Sequence, residues 1–502
     1  MKLNHDIYKD KVYACWIGKN IGGTLGGPYE GRREKLDVKG FKTKPNDPLP
    51  NDDLDLQLIW LQAIEQEGPR NLTAEKLGEY WLSFIVACWS EYGIAKRNMQ
   101  IGVIPPLCGD MENNVWKHSN GAWIRTEIWA TLAPACPDIA ARYAIEDAKV
   151  DHGMGEGTYA AMFVAAIESA AFVISDIRKL IEIGLAKIPV DCRMARSIRL
   201  LLECYDSGVP AMEARDRILA ENADISDGWF QAPSNVSYAM LGILYGEGDF
   251  KKSMLLAINC GDDTDCTAGT VGSILGIMYG TAGIPTDWRE YVGDKIVTLS
   301  INLCISWKKI TSCTQLTDRV VRLAPFVLQL SKADFRKEVE LTDGENEWED
   351  EEVESFLLPY GKSEESDEMR RSVFSLKPHT TTTRFAYATA IVSYDGEPVL
   401  KRGGEKKVTV QFVNNVKAYG NQPYSLSVQL VLPEGVSADK KEFEVYLPHW
   451  TSVTLCDCLS VPVEITFKAE EKLRGVNKAY LLVSAEGRYT VGCVPVVLLN
   501  RE

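Results

Sequence analysis

The chain of 502 residues has no uninterrupted apolar run long enough to cross a bilayer. Its most apolar tract, Tyr159 to Ser175, carries Glu168 and falls short of the roughly 20 residues a spanning helix needs. The amino-terminal MKLNHDIYKDKVYACWIG lacks an apolar core and a cleavage site, so no signal peptide is expected. Positive charge is also in short supply. Lys and Arg number 55 against 70 Asp and Glu, a net charge of -15. That argues against a nucleic-acid partner, whose backbone needs clustered cations, and against an anionic membrane surface. An anionic small substrate stays open where a local cation is supplied. Cysteines are present but lack a pairing pattern. They number 13, scattered, with only Cys260/Cys266 and Cys456/Cys458 close together. Neither pair has a second at zinc-ribbon spacing, so reduced thiols in a cytoplasmic protein are expected. There are no repeats of solenoid period, and no feature sets an oligomeric state.

From Tyr8 to about Phe335 the hydrophobic period is helical. Leu54, Leu58, Trp60, Leu61 and Ile64 recur at helix spacing, as do Met162, Ala165, Ala166, Ser169 and Phe172. Breaks rich in Gly, Pro and Asn separate the runs, and no strand alternates with them. An acidic run, Thr342 to Phe356, and a polar stretch, Lys362 to Arg371, follow. The period then becomes two, in Lys407–Val413, Ser425–Val431 and Glu464–Lys468, with turn signals between. The expected fold is multidomain α and β: an all-α domain over 1–340, an acidic linker over 341–370 and an Ig-like β-sandwich over 371–502. His449, Trp450, Cys456 and Cys458 in the last part read as core or turn residues, and the sandwich as an accessory domain.

The chemistry concentrates in three stretches. Asp262-Asp263-Thr264-Asp265-Cys266 precedes a helical run from Ala268 to Tyr279. One Asp there is an ordinary N-cap. Three carboxylates in four positions repel one another and call for a hard cation with oxygen ligands. Gly269, Gly272, Gly276 and Gly280 share a face of the helix that follows. Each costs an isolated helix about 1 kcal/mol relative to Ala, which a tightly packed core helix tolerates. Asn51-Asp52-Asp53 likewise precedes a helical run and reads as a cap or as a second ligand group, because a metal pair draws carboxylates from several elements. The third stretch, Gly18 to Gly31, is dense in glycine and contains Glu30. It has no GKS or GKT ending and no strand before it, so it is neither a P-loop nor a dinucleotide site.

Together and in this order the stretches resemble the ADP-ribosylglycohydrolase family, over roughly Tyr8 to Trp288. The family's Gly-rich helix ending in Glu resembles Gly18–Glu30, and its Ser/Thr-Asp-Asp motif resembles Asn51-Asp52-Asp53. Its Asp-x-Asp-Thr/Ser motif resembles Asp263 to Cys266. Asn120-Gly121-Ala122-Trp123-Ile124-Arg125 and Val150-Asp151-His152-Gly153 are similar to two further segments. The resemblance implies a compact all-α hydrolase with two Mg2+ ions, or Mn2+, held by Asn51, Asp52, Asp53, Asp263, Asp265 and Cys266. It implies catalytic roles for Glu30, Asp52 and Asp53, and substrate binding by Glu30, Asn120, Gly121 and His152. Three positions depart from the pattern: Asn51 and Cys266 stand where hydroxyl ligands are usual, and Leu54 replaces a usual Thr. A thiol is a poor Mg2+ ligand, so one metal position is weakened, empty or completed by water.

The implied reaction is metal-dependent hydrolysis of a ribosyl N- or O-glycosidic bond, with ADP-ribose, free or protein-linked, as the sugar. The alternatives are a glycosidase for another furanoside or nucleoside-like sugar, and a degenerate protein that only binds ADP-ribose or a sugar.

Overall fold

In the computed structural model the glycine-rich stretch ends one long helix, α1 (His5–Gly26). Asn4 caps it, its side chain accepting the Ile7 N–H at 2.9 Å. Helix α1 lies antiparallel against the helix Thr264–Tyr279, and the two backbones touch along a ladder four residues apart. A Cβ at Gly18 would land on the carbonyl of Gly272, one at Gly22 on Ala268, one at Gly26 on Thr264, and one at Gly276 on Ala14. This explains why two helices so poor in propensity persist: α1 is buried from Ala14 to Gly26 and the later helix from Thr264 to Met278, and tertiary packing replaces what propensity lacks. The ladder also fixes register. It brings the end of α1 to the start of the later helix, where the Thr264 hydroxyl donates to the Gly26 carbonyl at 2.9 Å.

The structure describes residues 1–226, 228–302, 309–335, 338–360, 378–414, 424–448 and 459–501. They form two units, Met1–Gly93 with Val115–Arg370, and Ile94–Asn114 with Arg371–Glu502. The first unit is helical. Trp16, Trp60, Trp81, Trp123 and Trp129 are fully buried in it. The apolar tract with Glu168 is the core helix Glu156–Ala170. Burial first, and the Glu127 carboxylate second, push Glu168 well above the usual carboxylate range. The Thr126 hydroxyl donates to it at 2.9 Å. No helix among the described residues is long and apolar enough to cross a membrane.

Two features depart from the helical-domain-plus-linker expectation. β1 (Lys2–Asn4) pairs in parallel with β2 (Glu340–Thr342), so the first unit carries a small ribbon. The stretch read as linker is structured in part: it holds β2 and a helix Asp350–Glu354 closed by a Glu349/Glu352 capping box, and the Glu352 carboxylate takes the amino terminus at 2.8 Å. The reason is local: a run of acids also makes a good helix first turn.

In the second unit Pro106 bridges to Thr381, and the Glu112 N–H donates to Glu397 at 3.0 Å. The segment 94–114, expected in the helical domain, thus packs with the strands. These are β3 (Thr380–Arg384), β4 (Ala388–Tyr394), β5 (Glu405–Asn414), β6 (Tyr424–Val431), β7 (Val436–Ala438), β8 (Glu442–Leu447), β9 (Val463–Ala469), β10 (Val476–Ala485) and β11 (Val491–Leu499). They form two antiparallel sheets, ordered β11-β10-β6-β8 and β3-β4-β5-β9-β7. Alternate residues such as Val408, Val410 and Phe412, or Leu426 and Val428, are buried, as the period of two requires. The Tyr394 hydroxyl links the sheets by accepting the Val497 N–H at 2.9 Å. His449, Trp450, Cys456 and Cys458 lie outside the described residues.

The ladder makes a prediction. Alanine gains about 1 kcal/mol of helix propensity over glycine, but an added methyl at Gly272 meets backbone that cannot yield, and overpacking of this kind costs about 1–3 kcal/mol. Gly272→Ala is therefore expected to lower the urea midpoint. A midpoint at or above that of the wild type would show that the ladder is not tight.

Candidate active site

The end of α1 runs through the turn Gly27–Tyr29 into Glu30. Opposite it, the chain leaves Asn259 and reaches Asp262, whose φ of 69° lies in the left-handed region. Two elements hold this residue. Its backbone pairs with Arg32, and its carboxylate accepts from Asn235 Nδ2 at 2.9 Å and from the Phe230 N–H at 3.2 Å. Asp262 is thus an anchor of the turn, and the next residue begins the site. Asp263 stands at the N-cap position of the helix Thr264–Tyr279 without a side-chain capping bond, and Asp265 lies in its first turn.

The second acidic stretch opens helix α2 (Asp52–Glu67). Asn51 is its N-cap, its side-chain oxygen accepting the Asp53 N–H at 2.8 Å. The oxygen expected to hold a cation is engaged by the helix end. Asp52 faces the cavity, whereas Asp53 is fully buried behind it.

A cavity of about 490 Å³ gathers most of the expected residues: Glu30, Asp52, Asn120, Gly121, Asp263, Asp265 and Cys266. Asn120 fixes Asp263 through a 2.6 Å hydrogen bond from its Nδ2, and its own oxygen accepts from Trp123 Nε1 at 3.0 Å. Gly121 is required because a Cβ would run into the Glu91 carboxylate. Arg125, fully buried, holds this loop by donating to the Gly121 carbonyl and to Asp147 and Asp151 at 2.8–3.1 Å. His152 is not among the residues lining the cavity. It is fully buried, with Nδ1 2.9 Å from Asp151 and Nε2 3.4 Å from the Ser119 hydroxyl. Its place is in the wall behind Ser119, which itself lines the cavity.

Among the described residues three trios of side chains offer ligand atoms within 4.8 Å of one another: first Glu30, Asp263 and Asp265, second Asp53, Asp265 and Cys266, and, sharing no residue with these, Glu91, Asp151 and His152. In the first trio Asp263 Oδ1 and Asp265 Oδ1 are buried without a hydrogen-bond partner. Orphaned anionic oxygens in a wet-edged pocket fit a hard divalent cation. The second trio is different. The Cys266 thiol donates to Asp53 Oδ1 at 3.2 Å, and burial with the surrounding carboxylates pushes its pKa well up. In this arrangement the thiol serves as a hydrogen-bond donor to Asp53.

Without a cation the site holds protons instead. Burial, then Asp52 and Asp53, push Glu30 up to about 7. Burial, then Glu30 and Asp53, push Asp265 up to about 8. Asp263 is raised well above its ordinary range by burial, Asp265 and Glu30.

Sequence reasoning missed several residues. Lys19, inside the glycine-rich helix, is fully buried; its ammonium lies 3.0 Å from Asp53 Oδ2 and 2.8 Å from Glu127 Oε1 and donates to the Ile124 carbonyl at 2.7 Å. Burial alone would lower its pKa, but Asp53 and Glu127 outweigh burial and hold the charge. Gln57 joins the same cluster, donating to Glu127 at 2.8 Å. The signal for Lys19 is a lone charge on a helix face otherwise made of Gly and apolar residues. Trp89, Tyr92, Trp116 and Phe230 form an aromatic wall of the cavity, and nothing in their spacing announces it.

The ADP-ribosylglycohydrolase family model matches residues 4–324. Short stretches are similar to two curated ADP-ribosylarginine hydrolases named Tri1. The one from Pseudomonas putida (strain GB-1) is 39% identical over 54 residues, covering 11% of this chain and 15% of that protein. The one from Serratia proteamaculans (strain 568) is 40% identical over 52 residues, covering 10% of this chain and 14% of that one. The matched stretches thus span about a seventh of those relatives. A solved ADP-ribosylglycohydrolase-related protein complex aligns with 65% of this chain and 99% of its own, at 19% identity and a TM-score of 0.42.

The raised carboxyls give a signed pH dependence. A group whose folded pKa exceeds its unfolded value stabilises the fold at low pH and loses that contribution as pH rises through the folded pKa. With Glu30 at about 7 and Asp265 at about 8, the cation-free protein is expected to lose melting temperature from about pH 4, where the carboxyls of the unfolded chain titrate, up to about pH 8, and to level off above it. Excess Mg2+ should flatten the decline, and Asp265→Asn should flatten it without metal. Melting curves across this range check it; equal slopes in wild type and variant would refute it.

Proposed function

The chain belongs to the ADP-ribosylglycohydrolase family, and on that premise we propose that it is a metal-dependent glycohydrolase cleaving a ribosyl N- or O-glycosidic bond, with an ADP-ribosyl group as the sugar. The observation that carries this reading is the convergence of Glu30, Asp52, Asp263 and Asp265 on one cavity. Mg2+ or Mn2+ would be held by Asp263 and Asp265 with Glu30 alongside, and when bound it supplies positive charge for the ribose hydroxyls and an attacking water.

The chain's own groups do the rest. Glu30, which lines the cavity, takes a proton from the attacking water. Asp52 faces the cavity as the carboxylate that steadies positive charge developing on the sugar ring. Asn120 keeps Asp263 aimed, through the 2.6 Å bond that leaves Asp263 Oδ1 free for a ligand. Trp89, Tyr92, Trp116 and Phe230 offer flat faces for a planar ring.

One observation favours a second reading. Among the described residues that line the cavity there is no Lys or Arg, so among them a diphosphate would find no side-chain cation. A neutral furanoside or nucleoside-like sugar would not need one.

Product release from ADP-ribosylated peptides, nucleosides and furanosides, with Mg2+ and with chelator, separates the two. Metal-dependent release of ADP-ribose is expected, with Asp263→Asn and Glu30→Gln each reducing it by at least about 100-fold, as loss of a group acting in general acid–base catalysis does. Release of a neutral sugar alone would favour the second reading, and turnover undiminished in Asp263→Asn would reject both.

A further inference from the structure

Resting on the metal-dependent reading above, we propose that the site takes a single divalent cation, at the Glu30, Asp263 and Asp265 trio, and that the Lys19 ammonium stands permanently in place of a second. Such sites as the resemblance implies hold two ions, and Asp53, Asp265 and Cys266 form the trio that shares a carboxylate, Asp265, with the first; the further trio of Glu91, Asp151 and His152 shares no residue with either, and its Asp151 is already paired with Arg125 and His152. Both oxygens of Asp53 already face a partner, Oδ1 through a hydrogen bond and Oδ2 through an ion pair. Oδ1 accepts from the Cys266 thiol at 3.2 Å, and Oδ2 faces the Lys19 ammonium at 3.0 Å. Asn51, the neutral oxygen expected beside them, spends that oxygen on the α2 cap.

Lys19 cannot move aside. It is fully buried, it also contacts Glu127 and the Ile124 carbonyl, and its stem lies 3.1 Å from where a Cβ at Gly269 would stand. A divalent ion on Asp53 would meet this cation with no water between to screen it. The first trio has no such rival: its orphaned oxygens on Asp263 and Asp265 point to an unmet need for charge. The protein thus meets the repulsion among its carboxylates with one covalently attached cation and one exchangeable cation.

Equilibrium dialysis and electron paramagnetic resonance of the full chain, stripped with chelator and titrated with Mn2+, test this. One tight Mn2+ per chain with an uncoupled six-line spectrum is expected. Two tight ions with an exchange-coupled spectrum would overturn the inference while leaving the proposed function standing. No bound Mn2+ would overturn the inference and remove the metal from the proposed function. In Lys19→Met, verified as folded by circular dichroism, the count should rise to two; a folded variant that still binds one ion would deny Lys19 its role. Cys266→Thr, which restores a hydroxyl but keeps Lys19, should still bind one, and a rise to two there would place the exclusion on the thiol and overturn the proposal. Should Lys19→Met not fold, the wild-type count and Cys266→Thr decide.

Discussion

Repulsion among desolvated carboxylates is the constraint to which the helical unit is built. Glu30, Asp263 and Asp265 present oxygens within 4.8 Å of one another. At an effective dielectric of about 20, each ionised pair at that separation costs about 3 kcal/mol, less where Glu30 meets solvent. Three pairs approach the total stability of a typical domain, about 5–15 kcal/mol. The cluster therefore exists only with protons or with a cation. The raised values at Glu30 and Asp265 are the proton answer. Lys19 between Asp53 and Glu127 is a cation answer already built into the chain.

The glycine ladder lets such a cluster form at all. Its contacts pair residue 14 with 276, 18 with 272, 22 with 268 and 26 with 264. A slip of one helical turn would carry Asp263 and Asp265 about 5.4 Å along α1 and away from Glu30. Small residues thus do two things. They let backbones meet, which locks register, and they spare the space through which Lys19 reaches Asp53. Fold and site share one cause here, the close approach of α1 and the Thr264–Tyr279 helix.

Much of this was legible in the residues. Helical spacing around Leu54–Ile64 and alternation in Lys407–Val413 gave the two halves their class, because burial periodicity is a local property. The acidic clusters at Asp52 and Asp263 were legible because adjacent like charges demand an explanation. What was hidden depends on three-dimensional partners. Asp262 looks like its neighbours in sequence, yet Asn235 and Phe230 turn it into an anchor. His152 reads as a substrate residue, but Asp151 and Ser119 claim both of its nitrogens. Asn51 reads as ligand or cap equally well, and only the 2.8 Å contact to the Asp53 N–H shows the cap in place. The segment 94–114 is helical in period and packs with strands, which no local pattern reveals.

A fixed ammonium and a bound metal ion are not equivalent answers to the same repulsion. A lysine neutralises charge at every metal concentration, so the Asp53 side of the cluster needs no ion in order to fold. It is fully buried against Asp53, Glu127 and the Ile124 carbonyl and is not among the residues that line the cavity, so it does not reach water or sugar oxygens there. The Asp53 side therefore becomes scaffold, and the groups that face the cavity, Glu30, Asp52, Asp263 and Asp265, are left to meet the substrate. The thiol at Cys266 belongs to the same arrangement. With Asp53 neutralised by Lys19, a hydroxyl ligand has no ion to bind, and a weak donor that caps the remaining carboxylate oxygen at 3.2 Å is sufficient. The departure at Cys266 thus goes with the one buried cation at Lys19.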